Sequence, residues 1–203
     1  PINVNYRYLD DELHYLLENA DIEALVFHSS LGNRVARVCD RLPMLKAMIC
    51  VDDGPAEDGS MGPTTGIPYD TFLAQASGTA KTQPQGDEIY MLYTGGTTGM
   101  PKGVMYPLSA FTEFFMRGFP PMIGLPPFED AAQFGPAARQ MVDANTTVVA
   151  MSGPPLMHGT GCWLGLMFPH MLGGTSVLLE NRGFKPEEVW STVERDRVSQ
   201  III

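Results

Sequence analysis

The stretch Tyr93-Thr94-Gly95-Gly96-Thr97-Thr98-Gly99-Met100-Pro101-Lys102-Gly103-Val104 decides how this chain reads. Four glycines, three threonines and one lysine make a loop suited to an anion. Glycines let main-chain N–H groups approach a charged oxygen with no Cβ in the way. Threonine hydroxyls add donors, and the lysine ammonium adds a compact positive charge. The preceding run Ile89-Tyr90-Met91-Leu92-Tyr93 is apolar and β-favouring. A strand feeding such a loop is where α/β proteins bind nucleotides.

Two common nucleotide motifs fail on spacing. In the pattern G-x-x-x-x-G-K-[ST] the lysine follows glycine and precedes a hydroxyl, whereas here Lys102 follows Pro101 and precedes Gly103. The pattern G-x-G-x-x-G, started from Gly96, breaks at Thr98. Pro101 fixes its own φ and disfavours helix at Met100, so the chain is expected to leave the loop extended. Phosphate must then be gripped by the loop's own amides, hydroxyls and lysine.

Outward from the loop, helices and strands alternate. On the N-terminal side Asp10 or Asp11 is placed to cap a helix carrying Leu13, Leu16 and Leu17 and ending near Asn19. A buried strand comes next at Ala24-Leu25-Val26-Phe27. A basic amphipathic helix runs from Gly32 to Arg41 with Val35, Val38 and Leu42 inward, and a second strand is expected at Met48-Ile49-Cys50-Val51. Strand-helix-strand order predicts a parallel pair with a right-handed crossover. Residues 52–88 are rich in Gly, Pro, Asp and Thr and read as a long connection broken by a short helix at Tyr69–Gln75.

On the C-terminal side Phe111, Phe114 and Phe115 have helical spacing that favours a core face over a ligand wall. A helix is predicted from Pro136 to Asp143, with proline in its first position. Strands are expected at Thr146–Met151, Thr175–Leu179 and Ser199–Ile203. An apolar helix through Trp163, Leu164, Leu166, Met167 and Phe168 should be kinked by Pro169 and closed by Gly173-Gly174. Pro186, with Glu187 and Glu188 beside it, should begin a helix running to about Arg197.

The loop resembles the signature loop of the adenylate-forming superfamily, which includes acyl-CoA synthetases, aryl-CoA ligases, luciferases and peptide-synthetase adenylation domains. The segment Gly153-Pro154-Pro155-Leu156-Met157-His158-Gly159-Thr160-Gly161 resembles that family's P-L-x-H-x-x-G run. Met171-Leu172-Gly173-Gly174-Thr175-Ser176-Val177-Leu178-Leu179 resembles the strand next in its order, and Pro1–Tyr8 with Asp11-Glu12-Leu13 resembles its entry into a first helix-strand unit. Two positions depart from the pattern. Gly95 stands where the family has Ser or Thr, and Tyr106-Pro107-Leu108 carries no histidine where the family often has one.

The resemblance implies an α/β fold with largely parallel strands, the partial N-terminal domain of an adenylate-forming enzyme. It implies one incomplete AMP-binding domain over 1–203, made of a strand-helix-strand unit at 1–51, the connection at 52–88, and the phosphate loop with a carboxylate-pocket region at 89–203. The domain's start and the C-terminal lid domain would lie outside it. The implied activity is that of an acyl-CoA synthetase acting on a hydrophobic, fatty carboxylic acid, with ATP, Mg2+ carried by ATP, and coenzyme A. Alternatives are a non-catalytic AMP-binding module and a peptide-synthetase-type adenylation domain. Thr94, Gly95, Gly96, Thr97, Thr98, Gly99 and Lys102 would hold the phosphates, and Lys102 and His158 would be the catalytic pair.

Composition sets bounds. A chain of 203 residues with 44% hydrophobic content can bury a sizeable core. A net charge of −10 argues against nucleic-acid and anionic-membrane surfaces. Cys39, Cys50 and Cys162 are far apart and odd in number, so they form neither a disulfide framework nor a metal-ligand pair. A reduced, cytoplasmic setting is expected. No apolar run is long enough to span a membrane. His14, His28 and His170 read as structural, and no histidine spacing suits a metal.

Overall fold

A computed structural model describes residues 2–54, 66–78, 86, 88–95, 99–179 and 183–203. The chain divides into two compact units. The first comprises Val4–Pro84 and Tyr93–Val104, the second Pro1–Asn3, Gln85–Leu92 and Met105–Ile203.

The first unit begins with α1 (Asp10–Asn19), which buries Leu13, Leu16 and Leu17 as its spacing predicts. Asp10 and Asp11 lie inside its first turn rather than capping it. The cap is Glu12, whose carboxylate accepts the Leu9 N–H at 3.0 Å. β1 (Ala24–His28) and β2 (Ala47–Val51) pair in parallel, Ala24 opposite Ala47 and His28 opposite Val51. Between them α2 (Gly32–Cys39) turns Val35 and Val38 inward. Leu25 and Phe27 alternate with exposed neighbours along β1, the pattern of a strand with one buried face. β3 (Ile67–Pro68) adds a third parallel strand and leads directly into α3 (Tyr69–Ala74).

β4 (Ile89–Thr94) and β5 (Lys102–Pro107) form a two-stranded sheet with the glycine-rich loop between them. Pro101 therefore delivers the chain into a strand, as its effect on Met100 requires.

The second unit is organised by aromatic packing. α4 (Leu108–Gly118) buries Phe111 and Phe115 and leaves Phe114 half exposed. Phe111, Phe115, Phe119, Phe128, Phe134, Phe168 and Leu172 form one core cluster. Each such side chain removed from water contributes about 1.5–3 kcal/mol. α5 runs Phe134–Asp143, two residues earlier than Pro136 suggests. A preceding 3-10 turn (Ala131–Gln133), capped by Asp130, has already started the spiral, so proline is not needed to open it.

β6 (Val149–Ser152) is the central strand of a parallel sheet in the order β7-β6-β8, with β7 at Thr175–Val177 and β8 at Gln200–Ile202. β6 begins three residues later than the run of Thr and Val suggests. From its end the chain turns and enters a helical rod with three parts: α6 (Gly159–Cys162), a π-helical turn (Trp163–Met167) and α7 (Phe168–Met171). Gly173 has φ +71°, and the N–H groups of Gly173 and Gly174 close on the carbonyls of His170 (3.2 Å) and Pro169 (2.8 Å). That is the paired closure expected of a Gly-Gly stop. α8 (Pro186–Asp196) has proline and two glutamates in its first turn and ends at Arg197. No helix among the described residues is long and apolar enough to cross a membrane.

Candidate active site

The loop grows from β4, and its root is fixed by Tyr93. That side chain is buried, and its hydroxyl donates to Asn19 Oδ1, at the last residue of α1, at 2.6 Å. Burial, with Tyr15 and Asp21 nearby, pushes the Tyr93 phenol above its ordinary pKa, so it stays a neutral donor. Beyond it Thr94 and Gly95 are exposed. A Cβ placed on Gly95 or Gly99 would meet nothing within 4 Å. Gly99 holds φ +132°, a conformation other residues rarely adopt. Pro101 is buried, and Lys102 opens β5 with an exposed side chain. Thr94, Gly95, Gly99 and Lys102 thus belong to one unit, on a loop anchored at its first strand. Gly96, Thr97 and Thr98 lie outside the described residues.

These groups fit a phosphate. The glycines present backbone uncovered by side chains, Thr94 offers a hydroxyl, and Lys102 offers an exposed ammonium. No packing role competes for Gly95 or Gly99 among the described residues.

His158 lies in the second unit, in the turn after β6. It sits at the N-cap of α6, in extended conformation (φ −94°, ψ 143°), and is exposed. Its carbonyl accepts the Cys162 N–H at 2.9 Å, and its N–H donates to Pro155 O at 2.9 Å. The turn is built tightly. Ser152 Oγ donates to Pro154 O at 2.7 Å, and Asn3 Nδ2 donates to Leu156 O at 3.1 Å. A Cβ on Gly161 would stand 2.5 Å from Pro154 O and 2.6 Å from Pro155 O, so only glycine lets the helix start this close. β6 has neighbours on both sides, and the chain order reverses across it. In open α/β sheets, ligands bind beyond the carboxyl end of a strand at such a switch point, and His158 lies just past it.

Beside this turn Trp163 Nε1 donates to Tyr90 Oη at 3.2 Å, and Tyr90 stacks on Phe111 with centroids 4.4 Å apart. Burial raises the Tyr90 phenol, and it raises the Cys162 thiol against the pull of hydrogen bonds from Tyr90 and Asn3. Both groups therefore remain protonated near neutrality, and neither is a ready nucleophile. Among the described residues no group of three or more His, Cys, Asp or Glu could hold a metal ion.

Asn3, Ser152 and the Tyr90–Trp163 pair support the His158 turn, and nothing in sequence marks them. Asn3 is 153 positions from the carbonyl it holds, and a lone Asn near a terminus carries no pattern.

A model of the AMP-binding enzyme family matches residues 1–202, and the chain belongs to that family. It is 35% identical over 202 residues to the medium/long-chain-fatty-acid–CoA/3-oxocholest-4-en-26-oate–CoA ligase of Mycolicibacterium smegmatis, covering 98% of this chain and 34% of that protein. It is 34% identical to the 3-oxocholest-4-en-26-oate–CoA ligase of Rhodococcus rhodochrous, over 100% of this chain and 35% of that one. The chain thus spans about a third of the length of these relatives. Among solved structures, the anthranilate CoA ligase AuaEII in complex with anthranoyl-AMP superposes with TM-score 0.68 at 19% identity, over 98% of this chain and 34% of that one. A red-emitting luciferase from Phrixothrix hirtus gives TM-score 0.66 at 16% identity, over 100% of this chain and 35% of that one. These likenesses establish the fold: mixed α/β with parallel sheets, as part of the domain expected from the loop.

Proposed function

We propose that the full-length protein is an ATP-dependent acyl-CoA synthetase, an acid–thiol ligase for a hydrophobic, fatty carboxylic acid. The observation that carries this reading is the loop itself: glycines with open space around them, Thr94 and Lys102, on a strand root fixed by Tyr93, in a chain of the AMP-binding enzyme family. Relatives named as fatty-acid–CoA and 3-oxocholest-4-en-26-oate–CoA ligases support a hydrophobic acid.

The chemistry has two halves. A carboxylate oxygen attacks the α-phosphorus of ATP, the bond to the β-phosphate bridging oxygen breaks, and pyrophosphate leaves. The thiol of coenzyme A then attacks the acyl carbon, loses its proton, and expels AMP. The first half needs the β and γ phosphates held as negative charge grows on the leaving oxygen. Loop amides at Gly95, Gly96 and Gly99, the hydroxyls of Thr94, Thr97 and Thr98, and Lys102 suit that task, with Mg2+ arriving on ATP. His158 is assigned to the carboxylate side, because it comes just after the strand end where such folds place ligands. The two compact units are read as parts of one incomplete AMP-binding domain, working in the cytoplasm.

Carboxylate-dependent ATP–pyrophosphate exchange by the full-length protein tests this reading. Exchange that requires a medium- or long-chain fatty acid is expected. No exchange with any carboxylate would leave a module that holds the loop without turnover.

A further inference from the structure

The helical rod after His158 contains an irregularity with an identifiable cause. Phe168 N–H donates to Trp163 O, five residues back, so one turn holds an extra residue. The next residue, Pro169, has no N–H, and this leaves Gly165 O without the donor an α-helix would give it. Ser176, on β7, fills the vacancy: its hydroxyl donates to Gly165 O at 2.7 Å.

Both ends of the rod are pinned. On the far side Phe168 and Leu172 are each 1% exposed, and Gly174 N–H locks on Pro169 O. On the near side Gly161 faces Pro154 O and Pro155 O, and Gly165 backs onto Ser152, whose Cβ would lie 2.6 Å from a Cβ there. One extra residue in a turn rotates the near end of the rod by about 100° relative to the far end. The π turn is what lets the two glycines face the strand end while Phe168 and Leu172 stay in the core. Without it, Thr160 or Cys162 would be driven toward the Pro154 and Pro155 carbonyls, and the His158 turn would have to move.

We propose that Pro169 and Ser176 are a pair of positioning residues that hold this π turn and, through it, the rotational setting of the His158 turn. One residue removes the helical donor from Gly165 O and the other replaces it from the neighbouring strand. The functional consequence rests on the assignment of His158 to the carboxylate side.

The test uses the full-length protein with Ser176→Ala, Ser176→Thr and the double variant Pro169→Ala/Ser176→Ala. Ser176→Ala strands a carbonyl, so Tm should fall by a few degrees and KM for the carboxylate should rise, while Ser176→Thr keeps the hydroxyl and restores both. In the double variant the new backbone N–H at position 169 takes over Gly165 O, and Phe168 N–H moves to Leu164 O, a change its crystal structure would show. Gly165 O is then satisfied, but the shifted rod crowds the Pro154 and Pro155 carbonyls, so Tm should stay below wild type, while KM for the carboxylate stays raised by about tenfold or more and KM for ATP stays within about twofold. A purely structural pair would recover both stability and KM in the double variant, and that result overturns the proposal. So does a double variant that keeps the Phe168–Trp163 bond. A shifted register in a protein that shows no exchange even as wild type supports the device and removes the adenylation reading instead.

Discussion

The loop at Thr94–Lys102 and the turn at Ser152–Cys162 both end a strand and both rely on glycine, for opposite reasons. Gly95 and Gly99 have open space where a Cβ would go, whereas Gly161 and Gly165 would collide with backbone or side chain there. In the turn, glycine is required by the fold. In the loop packing makes no such demand on Gly95, where a side chain would stand in open space.

The largest expected effect lies on the packed side. Gly161→Ala should cost ~2–3 kcal/mol of stability through overpacking against Pro154 O and Pro155 O, read as a lowered denaturant midpoint at unchanged slope. A midpoint equal to wild type would erase the contrast between the two regions.

A polar clamp in the first unit should fall between the extremes. Asp53 accepts from Ser29 Oγ (2.8 Å), Ser30 Oγ (2.7 Å) and Ser30 N–H (2.9 Å), and His28 Nδ1 lies 3.2 Å away. Burial pulls its carboxyl upward, but the Ser30 and Ser29 hydrogen bonds with His28 outweigh that and bring it to about 2. Because the folded value lies below the ordinary one, the stabilisation is complete above pH about 4 and is lost as pH falls toward 2. Discounted for solvent screening, it amounts to about 1 kcal/mol. Asp53→Asn should therefore flatten the stability profile between those pH values, and an unchanged profile would show that the clamp contributes nothing.

The smallest effect belongs to the open loop. Gly95→Ser, which restores the hydroxyl usual in the family, should shift stability by less than about 0.5 kcal/mol. Any change it makes should be in KM for ATP. A stability loss comparable to that of Gly161→Ala would mean that the loop glycine serves packing after all.

Much of the fold is legible in sequence, and the limits have physical reasons. The leucines of α1, the apolar run of β1 and the proline that sends β5 off as a strand are local signals, and each element appears in the structure, although β1 buries only one face. β3 leaves no trace because two residues paired through backbone carry no side-chain pattern. Glu12 rather than Asp10 caps α1 because a carboxylate three positions in can reach back to the Leu9 amide. The loop and the His158 turn are readable as motifs. What holds them, Tyr93 to Asn19 and Asn3 to Leu156, joins residues 74 and 153 positions apart, beyond the reach of any local pattern. The π turn shows in sequence only as a kink at Pro169, since its partner Ser176 comes from the next strand.

The central claim is that the loop grips the phosphates that leave. Lys102→Ala in the full-length protein, assayed separately for adenylate formation and for thioester formation from preformed acyl-adenylate, tests it most directly. Adenylate formation should slow by about 10²–10³-fold with thioester formation nearly unaffected. Equal loss in both halves, or in neither, would contradict it.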